Sequence, residues 1–468
     1  MAVPGSAKMM VGIEVHVQLS CASKLFCGCP VAAKGAEPNS ATCPTCLGMP
    51  GAKPVLNRAA VEHAILVSLA LNCRLNRTFM FSRKTYFYPD LAKNYQITQY
   101  EVPVGEAGFL EVDGRKIRVR RVHLEEDPAA LVHESGASSS AYSLVDYNRS
   151  GIPLVEIVTE PDMGSPAEAR RFLDSLLTML NYLGVYRHGE SVLKADCNIS
   201  VEGGERVEVK NVTGFRAVED ALASEFARQH AMVEAGAKVV RETRGFDAET
   251  SSTYSMRTKE TEDDYGYIAD SDLVPTEVDD AWLASIRSRL PELAQEKASR
   301  FMAQYGLKEY DAKVLASDKG LAAIFEECAS IDIAIASRIV SRELMGILNY
   351  NRLSLAGTGI KAAGIAGLVS LIKAGKVSER NAKESLIKYA IEGVEPAGFL
   401  SGSGMLIDSG ESDIEAAVRE AVAENRQAFE DFRGGNSRSM NFIIGMVMRK
   451  LKGKADARRV QKVLEGLK

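Results

Sequence analysis

The chain has 468 residues, 46% of them hydrophobic and 25% charged, an ordinary globular composition that excludes wholesale disorder and allows two or three domains. No apolar run approaches the length of a membrane span, and the first ten residues lack the layout of an export signal, so a cytoplasmic protein with no membrane partner is expected. The net charge of −5 is uneven: from Arg433 to Lys468 ten basic residues face only Asp456 and Glu465, a tail of +8 against a remainder of −13.

In chain order, Val11 to Leu19 alternates Ile13, Val15, Val17 and Leu19 with Glu14, His16 and Gln18, the period of a strand with one buried face. The region 152–158 reads as a buried strand. Ser165-Pro166-Ala167-Glu168 supplies an N-cap, a proline at the first helical position and a capping-box glutamate, opening a helix that Gly184 closes. Cys197 to Val201 and Val207 to Val212 are short strands joined through Gly203–Gly204. After about Asp279 the strand signals fade, and helices follow with breaks at Pro291, Gly306, Gly357–Gly359 and Gly375. A last segment from about Ile414 reads as three small helices ending in the basic run. The fold class is α+β: a large mixed domain over 1–285, a helical domain over 286–400 and a basic helical tail over 401–468.

Candidate chemistry comes in patches. Cys27, Cys29, Cys43 and Cys46 form C-x-C-x13-C-x2-C, two close pairs able to give a structural zinc four thiolates with no open position; buried thiols are the alternative. Glu14 and His16 share one strand face, which suits an acid/base or metal site but also a merely solvated surface. After His123, the three acids Glu125, Glu126 and Asp127 gather oxygen ligands of the kind magnesium takes, or form an exposed acidic loop. Glu156 lies within an apolar strand, so its charge needs a partner unless it faces water at an edge. Asp196 and Asn198 share a face with Ser200, and Glu208 and Lys210 lie across the hairpin, a set able to grip magnesium and phosphate or simply to pair across strands. Arg83 to Gln96 interleaves Arg83, Lys84 and Lys93 with Tyr86, Tyr88 and Tyr95, a surface for single-stranded RNA or an aromatic core beside a loop. The basic tail offers Arg449, Lys450, Lys452, Lys454, Arg458 and Arg459 to a polyanion, although a charge run is more often a solvated helix face. No glycine-rich nucleotide loop of standard form is present.

Taken together, Val11 to Leu19, Phe26 to Cys29, Cys43 to Gly48, Arg83 to Gln96, His123 to Asp127, Ser143 to Arg149, Pro153 to Asp162, Val209 to Asn211 and the tail around Lys450 to Ala455 resemble the B subunits of the aspartyl/glutamyl-tRNA amidotransferases, in the same order along the chain. The resemblance implies a cradle-shaped catalytic domain, a helical domain and a tail that contacts tRNA. It implies ATP- and magnesium-dependent phosphorylation of the side-chain carboxylate of Asp or Glu on a mischarged tRNA. Amidation would follow with ammonia from an amidase partner, the A subunit, in a complex held by a small C subunit, with no DNA partner. Carried onto this sequence, magnesium would be held by Glu14, His16, Glu126 and Glu156, with Glu125 beside them and Asp196 as a further acid. Lys84, Lys93 and Lys210 would screen the nucleotide's charge, with Asn198 nearby. The chain departs from the family pattern at the short Tyr186–Ser191 segment, at Gly266 in Asp264-Tyr265-Gly266-Tyr267 where arginine is usual, at Ala269 and Ser271 where proline is, and at Thr85 where asparagine is common. A non-catalytic, zinc-containing tRNA-binding module and the paralogous archaeal E subunit are the alternatives.

Overall fold

The computed structural model describes residues 8–31, 35–132, 142–186, 191–212, 214–258, 266–407, 411–451 and 454–467. Two compact units meet in sequence between Leu293 and Ala294. The first ends later than 285 because the helix Asp280–Arg287 and the residues after it pack on the helix Arg58–Ala70: Trp282 Nε1 donates to Glu62 Oε1 at 2.8 Å and Arg289 pairs with Glu62 Oε2 at 2.7 Å.

The first unit is organised by a nine-stranded sheet. From one edge its order is Ser252–Thr258, Glu242–Asp247, Val207–Val212, Leu193–Val201, Met9–Gln18, Pro153–Thr159, Arg115–Glu126, Gly105–Val112 and Arg74–Leu75. Every pair is antiparallel except Val207–Val212 with Glu242–Asp247. The central strand is the predicted alternating one, and Val11, Ile13, Val15 and Val17 are all fully buried. They share a core with Val155, Ile157, Cys197 and Ile199 and with the helices Arg58–Ala70, Pro166–Leu183 and Phe215–Glu234, all on one face. A small sheet of Gly266–Ala269, Ser82–Thr85 and Tyr95–Thr98 stands over the opposite face.

The helix expected after Ser165 runs over Pro166–Leu183, with Ser165 Oγ accepting from the Glu168 N–H at 3.2 Å and Gly184 in the left-handed conformation at φ +70°. Glu168 Oε2 accepts from the Gly164 N–H at 2.7 Å, one residue before the usual capping-box donor. The hairpin after Val201 turns through Gly203 at φ +88°.

The second unit is helical among its described residues. One hydrophobic cluster includes Phe301, Leu315, Phe325, Val340, Leu368 and Leu386. Another, centred on Ile414, Val418, Ile443, Val447, Val460 and Leu464, belongs to the tail. Among its described residues the tail contains four helices, not the expected three: Glu411–Glu424, Arg426–Arg433, Ser437–Lys450 and Ala457–Glu465. The extra break is at Asn425, whose backbone leaves the helical region at φ −127°, ψ 50°.

Replacing Ser165 by Ala removes the capping acceptor while leaving Pro166 and Gly184 in place. The expected loss is about 1 kcal/mol of stability, read as a lower urea midpoint with an unchanged slope.

Candidate active site

The face of the sheet opposite the helices opens into a cleft of about 740 Å³. Its floor follows from register. Glu14 lies between Asp196 and Val158, and His16 between Lys194 and Glu156; Glu156 in turn faces His123, and Leu154 faces Glu125. Residues two apart on a strand share a face, so acids and imidazoles from four strands converge while the intervening residues pack in the core.

His16 Nε2 lies 3.5 Å from Glu156 Oε2 and 3.6 Å from Glu125 Oε1, and the buried His123 Nε2 lies 3.1 Å from Glu156 Oε2. Burial opposes charge on His16, yet its hydrogen bond to Glu156 and the carboxylates of Glu156, Glu125 and Asp196 push its pKa up to about 10. Burial also resists the Glu156 carboxylate, but His123 and His16 hold its pKa well below the ordinary value. Glu125 and Glu14 move the other way, raised by burial and then by the negative charge of Glu156; Glu208 and Asp196 add to the effect at Glu14. Asn198 Nδ2 donates to Glu14 Oε1 at 3.0 Å.

Ligand atoms of His16, Glu125 and Glu156 lie within 4.8 Å of one another. One imidazole and two carboxylates fit a divalent cation that keeps further positions for water or substrate oxygens. Glu126 is not part of this group. Neighbouring strand residues point to opposite faces, so when Glu125 enters the cleft Glu126 turns away, to Lys93 Nζ at 2.6 Å and the Ile97 N–H at 2.9 Å. Lys93 is thereby committed to Glu126 and does not line the cleft. Lys84 and Tyr86 do, with Lys84 Nζ 5.8 Å from the Tyr86 ring centroid. Lys210 does too, with Nζ 3.5 Å from Asp196 and 3.6 Å from Glu208. Tyr95 instead carries Arg83 over its ring at 4.7 Å, and Tyr88 is exposed outside the cleft. The departures at Thr85 and Gly266 prove to be one feature, since these residues face each other across the small sheet.

Cys27, Cys29, Cys43 and Cys46 bring their sulfurs within 4.8 Å of one another. A tetrahedral zinc with bonds of about 2.3 Å needs sulfurs about 3.8 Å apart, and Cys43 and Cys46 stand at 3.9 Å. The Cys43 N–H donates to Cys46 Sγ at 3.1 Å. The pKa of the Cys46 thiol is lowered to about 4 by its hydrogen bond with Cys27, against the cost of burial, with help from the wholly buried ammonium of Lys24. Cys27 and Cys29 move the other way, Cys27 raised by its hydrogen bond with Cys46 and then by burial, and Cys29 pushed up to about 11 by burial.

In the tail, Arg449, Lys454, Arg458 and Arg459 are exposed, whereas Lys450 pairs with Glu424 at 2.7 Å and Glu420 at 3.3 Å. Lys452, residues 187–190 and Asp264–Tyr265 lie outside the described residues. His123, Arg206 and Arg241 also line the cleft, and the sequence assigned none of the three a role of its own. His123 adjoins the acidic triplet, which was a usable signal; the arginines offered none, because their neighbours are set by register.

A family model described as the GatB/GatE catalytic domain matches residues 9–284, and one described as the GatB domain matches residues 323–467. The B subunit of the aspartyl/glutamyl-tRNA(Asn/Gln) amidotransferase of Thermotoga petrophila is 44% identical over 479 aligned positions, covering 98% of this chain and 99% of that protein. Proteins of the same name from Methanococcoides burtonii and Saccharolobus solfataricus are each 42% identical, covering 97% of this chain and 97% and 98% of their own lengths.

Because the partly buried Lys93 neutralises the buried Glu126, Lys93→Met strands a carboxylate. It should cost about 3 kcal/mol in urea unfolding, with Lys93→Met/Glu126→Gln recovering most of that loss.

Proposed function

The chain belongs to the family of aspartyl/glutamyl-tRNA(Asn/Gln) amidotransferase B subunits, and from that premise we propose that it uses ATP to phosphorylate the side-chain carboxylate of Asp or Glu carried on a mischarged tRNA. The acyl phosphate is then converted to the amide with ammonia from the amidase (A) subunit, in a complex completed by the small C subunit. The observation that carries this reading is the His16, Glu125 and Glu156 cluster in a cleft that also receives Lys84 and Lys210. A non-catalytic RNA-binding module has no need for such a group.

The chemistry explains the residue types. Bringing a nucleotide's phosphates to a carboxylate opposes two anions, and fixed positive charge must offset the repulsion. Magnesium held by His16, Glu125 and Glu156 would supply charge neutralisation there. Lys84 and Lys210 reach the same cleft with ammonium groups, and Asn198 orients Glu14 from the side. The substrate's own carboxylate is the nucleophile, so no strong general base is required. Exposed Arg449, Lys454, Arg458 and Arg459 serve the tRNA body from the tail. Cys27, Cys29, Cys43 and Cys46 hold a structural zinc, since four thiolates leave no position for substrate.

The deciding assay assembles the chain with its amidase and small-subunit partners. It supplies Asp-tRNA(Asn) or Glu-tRNA(Gln) with glutamine, ATP and magnesium, and analyses the released amino acid. ATP-dependent Asn or Gln is expected, with Glu14→Gln losing amidation while retaining tRNA binding. No amide from either substrate, with tRNA bound and glutaminase active, returns the protein to the binding-module class. Elemental analysis should find one zinc per purified chain, lost in Cys43→Ser/Cys46→Ser together with a lowered Tm.

A further inference from the structure

The far end of the cleft carries a second charged feature. Val207–Val212 and Glu242–Asp247 run parallel with Glu208 opposite Thr243. A backbone bond from Glu205 N to Val239 O at 3.3 Å continues the pairing beyond the strands' first residues. Two positions before Glu208 and Thr243 stand Arg206 and Arg241, neighbours on adjacent strands and on the cleft face. Both line the cleft and both are exposed. Among the described residues neither guanidinium has a carboxylate or other hydrogen-bonding partner, even though Glu202 and Glu205 are close in sequence.

Like charges side by side on paired strands are unfavourable unless an anion lies between them. Two guanidiniums opening on one cleft match a phosphate, which accepts paired N–H donors from each. Resting on the amidotransferase reading, we propose that Arg206 and Arg241 bind the phosphate backbone of the single-stranded 3′ end of the RNA substrate. Distance selects this source of phosphate. The arginine pair is in the row of Met10 and Ser200, whereas the cation cluster is in the row of His16 and Lys194. From Met10 to His16 the strand runs roughly 20 Å at about 3.4 Å per residue, further than one triphosphate extends from a cation at His16. A polynucleotide carries a phosphate at every residue, so one strand can meet the arginines while its aminoacyl end reaches the cluster.

The test measures binding of the full-length chain to a tRNA transcript over a range of salt concentrations, alongside KM for ATP in the assembled enzyme. Arg206→Gln/Arg241→Gln should weaken tRNA binding several-fold at low salt and reduce the slope of log K against log salt by roughly 0.7, the value for the one phosphate held between the two guanidiniums. KM for ATP should not move, and Arg206→Lys/Arg241→Lys should keep most of the slope. A transcript lacking its single-stranded 3′ end should bind wild type and the Gln variant alike. Unchanged affinity and slope for the intact transcript overturn the proposal, as does a raised KM for ATP with RNA affinity intact, which assigns the pair to nucleotide phosphate. Amide formation by the wild-type enzyme is scored separately, so failure of the arginine site is distinct from failure of the amidotransferase reading.

Discussion

Side-chain alternation along Met9–Gln18 is the constraint from which the candidate site follows. Its odd-numbered residues from Val11 to Val17 are buried against helices, and its even-numbered Glu14, His16 and Gln18 enter the cleft. Because the strand is central, neighbours on both sides inherit the division: Asp196 and Lys194 on one flank, Glu156 and then His123 on the other. A rigid, hydrogen-bonded support with a packed reverse side places these groups more reproducibly than a loop would.

The cost of this arrangement is electrostatic. Glu14, Glu125, Glu156, Asp196 and Glu208 crowd one surface, and burial penalises the charge on Glu14 and Glu125. Glu156 remains anionic because two imidazoles face it. The same principle separates Glu126 from the group, since its charge is already met by Lys93 and a backbone N–H. Charge balance, as much as geometry, distinguishes a carboxylate free to engage a ligand from one committed to holding the fold together.

Local patterns were legible in the sequence, and long-range phase was not. The central strand, the Ser165-capped helix and the Gly203 turn each depend on a few adjacent residues and appear as expected, give or take a residue or two at their ends. The four cysteines were likewise visible from spacing and do converge. The triplet Glu125-Glu126-Asp127 has no polar–apolar alternation, so nothing local tells which acid faces the cleft; that is decided by pairing with Pro153–Thr159. The facing of Thr85 with Gly266, and of Arg206 with Arg241, is equally a product of register between distant segments. Asn425 breaks the tail into an additional helix without a proline or glycine to announce it.

The sheet order also bears on how the chain is made. Met9–Gln18 precedes the other strands of its sheet in sequence, but its partners are Pro153–Thr159 and Leu193–Val201. At about 5–20 residues per second, synthesis reaches those partners only after roughly 10–40 s. Throughout that interval Met9–Gln18 has a row of apolar side chains and two unpaired edges, the profile of a segment prone to intermolecular pairing. Glu14, His16 and Gln18 interrupt that profile at every second position, so the residues that furnish the cleft also break the apolar run of the strand before its partners arrive.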